Sequence, residues 1–82
     1  MESVFLMAAL AAAGAVVVEP AANMYSKPSL DADVVSQAIY AANIGLIEEK
    51  DGWARVQTAD GYTGWMPAAS FLRAARPYAA AG

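Results

Sequence analysis

The sequence predicts a small all-β barrel of five or six short antiparallel strands, with one 3₁₀ turn before the last strand. Apolar residues come in short groups separated by turn formers, and Asp-Gly pairs occur at residues 51–52 and 60–61. The chain has 82 residues, which is room for one small domain. Because open sheet edges favour aggregation, we expect so small a sheet to close on itself.

The first half of the predicted barrel consists of extended segments around a polar loop. Residues 16–18 (VVV) predict a first strand, and residues 23–26 (NMYS) predict a short extended segment. That segment ends at residues 27–29 (KPS), because proline disfavours helix in the residue before it. Residues 30–33 (LDAD) are the polar loop, and residues 34–40 (VVSQAIY) predict the next strand. Helices of ordinary length do not fit this spacing.

Two Asp-Gly turns organise the second half. Asp and Gly tolerate the positive φ of a tight hairpin turn. Residues 44–49 (IGLIEE), 53–58 (WARVQT) and 62–66 (YTGWM) are therefore predicted to form a three-stranded meander. The proline that follows ends the ladder, so residues 68–70 (AAS) predict the 3₁₀ turn and residues 71–72 the last strand.

Alternation along the strands predicts which residues face the core, because successive side chains point to opposite faces of a sheet. Trp53 and Trp65 fall on the outer face. A barrel this small holds only side chains, so a ligand would have to bind on its surface. The residues predicted to face inward are Ile44, Leu46, Ala54, Val56, Gly64 and Met66, together with Val34, Leu72 and one of residues 16–18.

The composition excludes several classes of function. With no Cys and no His, the chain cannot supply a Cys-His pair, a Ser-His-Asp triad, a thiolate metal site or a disulfide. A net charge of -3 lacks the basic excess that nucleic-acid binding requires. Glu48, Glu49 and Asp51 lie at a predicted hairpin tip, where charges are solvated, and Asp31 and Asp33 are too few for a Ca²⁺ loop. We expect a domain that is not an enzyme and needs no cofactor or metal.

The two ends of the chain differ from its middle. Residues 4–15 (VFLMAALAAAGA) are an apolar stretch too short to span a bilayer and typical of a secretory signal peptide, with an A-x-A cleavage site at residues 13–15. The first three residues carry a Glu and no basic residue, so a packed apolar element, or a start inside a longer signal, are alternatives. We predict a signal peptide at 1–15, a domain at 16–73, a linker or frayed tail at 74–82, a secreted or periplasmic location and no stable membrane span.

The chain has more large aromatic residues than so small a core requires. Tyr and Trp combine an apolar body with a polar tip, which suits surfaces that bind peptides or sugars. The alternative is that these residues plug the barrel ends and support loops. The predicted domain contains five Tyr and Trp residues, namely Tyr25, Tyr40, Trp53, Tyr62 and Trp65. We predict ligand-binding roles for Tyr25, Tyr62, Trp65 and Trp53, with the first three forming one surface patch.

Three motifs in order resemble those of bacterial SH3 domains, the SH3b modules of cell-wall enzymes. They are residues 23–29 (NMYSKPS), 52–56 (GWARV) and 60–66 (DGYTGWM). With residues 37–40 (QAIY), the chain most resembles the first SH3b module of NlpC/P60 cysteine peptidases of the γ-D-glutamyl-L-diamino-acid endopeptidase type. The resemblance covers residues 16–72 and implies an SH3-like barrel.

The resemblance also implies a ligand. In that subfamily the SH3b module borders the active site and helps to select peptidoglycan stem peptides that have a free N-terminal L-Ala. The aromatic residue of the family's Gly-Tyr-x-Gly-Trp motif carries over to Tyr62. In the subfamily an acidic residue also contributes to recognition of the free amine, but residues 40–43 (YAAN) contain no acid. Ala42 has no polar side chain that could replace the water lost from a bound amine.

Three hypotheses for the function follow. The first is a non-catalytic SH3b module that binds or positions peptidoglycan stem peptides in the cell envelope. The second is the N-terminal part of an NlpC/P60 cysteine peptidase, in which the module walls the substrate cleft of a separate catalytic domain. The third is a structural role in which the apolar N-terminus is retained as an anchor or packing element.

Overall fold

A computed structural model describes residues 14–74 as one antiparallel sheet of seven strands with a single 3₁₀ turn. The strand order in the sheet is β3-β2-β6-β5-β4-β1-β7. The predicted all-β class and the 3₁₀ turn before the last strand are confirmed. In chain order the elements are β1 Gly14–Val17, β2 Ala21–Tyr25, β3 Val34–Ile39, β4 Asn43–Lys50, β5 Trp53–Thr58, β6 Thr63–Pro67, the 3₁₀ turn Ala68–Ser70 and β7 Phe71–Ala74.

The number of strands is seven rather than five or six, because the short segment at residues 23–26 belongs to a full strand. β2 pairs with β3 on one side and with β6 on the other. Within residues 14–74, no helix is long and apolar enough to cross a membrane.

The meander of β4, β5 and β6 forms where the Asp-Gly turns predict it. Asp51 and Gly52 both have positive φ, 53° and 83°, which is the conformation of a tight two-residue hairpin turn. Gly61 has a φ of 94°, and its N–H donates to the carbonyl of Thr58 at 3.0 Å. The bounds of β5 and of the 3₁₀ turn agree with the sequence prediction.

All seven strands contribute to one hydrophobic core. A sheet whose strands all bury side chains in the same cluster has to curl around that cluster, as the barrel prediction requires. The inward positions predicted for the meander are all buried, and Val17 is the buried residue among 16–18. The core residues are Ala15, Val17, Ala22, Met24, Ala38, Ile44, Leu46, Ala54, Val56, Met66 and Phe71.

Two predicted core residues are on the surface instead. Val34 is 50% exposed, because an irregularity in the β2–β3 pairing makes it the partner of Tyr25 on the outer face. Leu72 is 65% exposed, because β7 pairs it with Val16 and turns the neighbouring Phe71 inward. The prediction for Val34 and Leu72 was therefore wrong, and both residues belong to strands at the edges of the sheet.

β1 lies between β4 and β7, and its first residue pairs with the last described residue. Gly14 is the partner of Ala74, and Ala15 is buried between Ile44 and Arg73. The predicted leader, residues 1–15, thus extends into β1 at Gly14 and Ala15, whereas residues 1–13 lie outside the described part of the chain. Of the predicted tail, Ala74 belongs to β7, and residues 75–82 are also outside it.

A glycine allows β2 to approach β6. The two strands share one residue pair, Tyr25 with Trp65, beside Gly64. A Cβ atom at Gly64 would lie 2.9 Å from the Cβ of Met24 and 3.1 Å from the Cγ2 of Val35. Real Cβ atoms are not found that close to another side-chain carbon, so any larger residue would push β2 away from β6.

We predict that Gly64→Ala lowers the free energy of unfolding by about 1–3 kcal/mol, because the added methyl overpacks the contact with Met24. Urea denaturation followed by Trp fluorescence measures this change. Gly14→Ala is the matched control, since a Cβ there would meet its nearest atoms at 3.7 and 3.8 Å, ordinary contact distances. Equal stabilities of the two variants would contradict the close approach.

We predict that residues 14 and 15 are required for full stability. Removing Gly14 and Ala15 shortens β1 and breaks pairs with both β4 and β7. The expected loss is about 1–3 kcal/mol, since each backbone hydrogen bond contributes about 0.5–1.5 kcal/mol. Thermal denaturation of chains that begin at residue 14 and at residue 16 measures it. The same melting temperature for both chains would show that Gly14 and Ala15 contribute no stability.

Candidate functional site

The strand register brings three of the four predicted site residues onto one outer face of the sheet. Tyr25 on β2 is the partner of Trp65 on β6, and Trp65 is the partner of Arg55 on β5. Trp53 lies two residues before Arg55 and therefore on the same face. Each of the three aromatic side chains is half-buried. We call Tyr25, Trp53 and Trp65 the aromatic face.

The rings of Tyr25 and Trp53 meet across the strand that separates them. Their centroids are 5.6 Å apart with an interplanar angle of 86°, an edge-to-face contact. β6 lies between β2 and β5, and strands two positions apart in a sheet are about 9.5 Å apart. Both rings must therefore lean toward each other over β6. The contact makes the aromatic face continuous across three strands.

Tyr62 occupies a different position from the other predicted site residues. It lies in the turn between β5 and β6, directly before the first residue of β6, and 58% of its surface is exposed. The turn holds its backbone, since the Tyr62 carbonyl accepts from the N–H of Thr58 at 2.9 Å and its N–H donates to the Thr58 hydroxyl at 3.2 Å. The structure thus unites Tyr25, Trp53 and Trp65 and leaves Tyr62 at the end of the hairpin.

Charged side chains border the aromatic face on β4 and β5. Arg55 has Trp65 as its partner on one side and Glu48 on the other, and Lys50 is the partner of Trp53. All three charged residues are exposed. Sequence analysis did not identify Arg55 or Lys50 as site residues, because it predicted the order of the meander strands but not the residue pairs across them.

The salt bridge in the described part of the chain lies elsewhere. Arg73 on β7 donates to the carboxylate of Glu49 on β4. This hydrogen bond, and secondly the negative charge of Glu49, raise the pKa of Arg73 above its ordinary value. Glu49 points away from Arg55, because the β4–β5 register pairs it with the inward-facing Ala54.

A second concave surface lies where β1 meets β7. It is a groove of about 300 Å³ with mostly apolar walls. Sequence analysis did not find it, because it depends on the pairing of β1 with β7, which places the half-buried Val16 opposite the exposed Leu72. The residues that line it are Val16, Val17, Val18, Tyr40, Ala41, Leu72, Arg73 and Ala74.

The described residues offer few ligands for a metal. No group of three or more acidic side chains that could hold a metal ion comes together within residues 14–74. The buried Ser70 hydroxyl donates to Glu19 at 2.8 Å, and no buried side-chain nitrogen or oxygen in these residues lacks a hydrogen-bond partner. What the aromatic face offers a ligand is stacking, hydrogen bonding from Tyr and Trp tips, and two nearby cations.

A comparison with known protein families agrees with the all-β fold. The family model described as "Bacterial dipeptidyl-peptidase Sh3 domain" matches residues 24–71, more than half of the chain. The chain belongs to this bacterial SH3 domain family. A comparison with curated proteins finds no match.

The SH3 family match extends from β2 into the first residue of β7 and therefore includes the whole aromatic face. It leaves β1 outside, although β1 supplies Ala15 and Val17 to the core of this SH3 domain. Bacterial SH3 modules are generally non-catalytic, and the sequence has neither Cys nor His. The family assignment confirms the bacterial SH3 resemblance at the level of the domain.

We predict that Tyr25 and Trp53 stabilise each other. In a double-mutant cycle with Tyr25→Leu and Trp53→Leu, the coupling energy should be about 0.5–1.5 kcal/mol, as for other edge-to-face pairs. Denaturant unfolding of the four proteins measures it. The control cycle pairs Trp53→Leu with Tyr40→Leu, an exposed tyrosine at the end of β3, and should show no coupling. A Tyr25–Trp53 coupling as small as that of the control would contradict the ring contact.

Proposed function

We propose that this bacterial SH3 domain is a non-catalytic module that binds peptidoglycan stem peptides on its aromatic face, in the cell envelope. The observation that carries the proposal is the grouping of Tyr25, Trp53 and Trp65, half-buried, on one outer face of the sheet. Aromatic side chains of this kind supply contact area at low cost in conformational entropy and are enriched where proteins bind peptides.

The shape of the domain also favours surface binding. The core is filled by side chains from all seven strands, and the largest fully buried ones include Met24 and Met66. A ligand therefore has to bind outside, where the aromatic face spans three strands from β2 to β5. A short extended peptide matches the length of such a face.

The cell-envelope location is part of the proposal. It rests on the apolar residues 4–15, which resemble the central region of a signal peptide. If a leader is removed, cleavage after Ala13 would keep β1 whole, whereas cleavage after Ala15 would shorten it.

The second candidate function is that of a cleft wall in an NlpC/P60 cysteine peptidase. It is favoured by the family description, which names a dipeptidyl-peptidase. In this arrangement the module contacts the stem peptide only together with a separate catalytic domain. Tyr62, at the end of the β5–β6 hairpin, is then the residue that the subfamily pattern assigns to the free L-Ala.

The first experiment is an NMR titration of the ¹⁵N-labelled full chain with the tripeptide L-Ala-γ-D-Glu-meso-diaminopimelate. We predict amide and indole shifts that cluster at Tyr25, Trp53 and Trp65. Trp65→Ala should weaken binding by about tenfold, the loss of about 1.4 kcal/mol expected for a central aromatic contact. Trp65→Phe, which keeps a ring, should weaken it less and guards against a folding defect.

Two further variants separate the candidate functions. Tyr40→Ala removes an exposed tyrosine that lies off the aromatic face and should leave the affinity unchanged. Tyr62→Ala should have little effect if the aromatic face alone binds the peptide. The absence of shifts at millimolar tripeptide would contradict stand-alone binding and favour the cleft-wall function.

A further inference from the structure

We propose that Arg55, assisted by Lys50, binds a carboxylate of the ligand, so that the aromatic face selects peptides by their acidic groups. This inference rests on the proposed function and deepens it, because it names the part of the peptide that the face recognises. It differs from the recognition of a free amine, for which residues 40–43 lack the acid.

The first observation is where the cations lie. Residues 14–74 contain four basic side chains, against a chain that is acidic overall. Arg55 and Lys50 are cross-strand partners of Trp65 and Trp53, and Lys27 follows Tyr25 by two residues. Three of the four cations are thus next to the aromatic face in strand register or in sequence.

The second observation is that Arg55 and Lys50 form no ion pair with any of the described residues. The ion pair in the described residues joins Arg73 to Glu49 and involves neither Arg55 nor Lys50. Glu48 lies opposite Arg55 on β4, yet the two side chains form no salt bridge. A guanidinium that is exposed and not ion-paired keeps its donors for a ligand.

The third step is that a guanidinium beside aromatic rings is chemically suited to bind a carboxylate. A guanidinium presents donors in a planar fork that matches a carboxylate, and it binds more strongly beside apolar rings, which displace water. Arg55 is the direct partner of Trp65, so a carboxylate at Arg55 places the adjoining part of a peptide over the aromatic face. Lys50, beside Trp53, supplies a second positive charge at the same face. Glu48, the partner of Arg55 on β4, is the negative charge that opposes this cation.

The other two exposed apolar surfaces give weaker evidence for a specific ligand. The groove between β1 and β7 has mostly apolar walls, and nothing in the structure shows what would cover it. The edge strand β3 exposes Val34, Val35 and Ile39 but contains no charged residue that would define a partner. At the aromatic face, apolar area coincides with two cations, Arg55 and Lys50, that are not ion-paired among the described residues.

The test compares two ligands and three charge variants. The ligands are the tripeptide L-Ala-γ-D-Glu-meso-diaminopimelate and the same tripeptide with its carboxylates converted to carboxamides. The variants, made in the full chain, are Arg55→Gln, Glu48→Gln and the matched control Arg73→Gln, which removes an equal charge from the Arg73–Glu49 pair. Dissociation constants are measured by NMR titration at fixed ionic strength.

We expect Arg55→Gln to weaken binding of the carboxylate tripeptide about three- to tenfold and to leave the carboxamide form unchanged. Glu48→Gln should strengthen carboxylate binding, because it removes the opposing charge. Arg73→Gln should change neither. Dispersed amide spectra of all variants show that each is folded.

Two other outcomes are distinguishable. If the tripeptide shifts the aromatic face but Arg55→Gln behaves like Arg73→Gln and the carboxamide form binds equally well, the carboxylate inference is overturned and the proposed function stands. If neither ligand shifts any resonance of the aromatic face, both the inference and stand-alone binding are overturned.

Discussion

The close approach of β2 to β6 is the constraint on which the rest of the structure depends. The β2–β3 hairpin joins the meander through the single pair of Tyr25 and Trp65. That pair forms because Gly64 has no side chain between the backbone of β6 and Met24. The same contact closes the core over Met24 and sets Tyr25 where its ring reaches Trp53. The absence of a side chain at Gly64 is therefore needed both to close the core and to form the aromatic face.

The parts of the fold that depend on local sequence could be predicted. The two Asp-Gly turns involve residues that are adjacent in the chain, with positive φ at Asp51, Gly52 and Gly61, so the hairpins of β4, β5 and β6 could be predicted. Strand β5 has neighbours on both sides, and alternation then assigns Ala54 and Val56 to the core without ambiguity. The family motifs lie in the same region and in β2, which is why the bacterial SH3 assignment also follows from the sequence.

The features that the sequence does not reveal depend on how the strands pair with one another. The outward position of Val34 results from an irregularity in pairing with β2, and that of Leu72 from pairing with β1 across more than fifty residues. The contact of Tyr25 with Trp53 requires β6 to lie between β2 and β5, an order that alternation within one strand does not specify. Sequence analysis likewise did not pair Arg55 with Trp65 or Lys50 with Trp53, because it predicted no residue register between the strands.

The pairing of Gly14 with Ala74 determines how the domain would respond to mechanical load. In antiparallel strands the hydrogen bonds run perpendicular to the chain direction, so a pull that separates these two residues acts along the bonds of the β1–β7 ladder. Such a force breaks the pairs one after another, as a zipper opens, instead of shearing them together. An SH3 domain pulled through Gly14 and Ala74 would therefore extend at low force, with β7 detaching first because it has a neighbour on one side only.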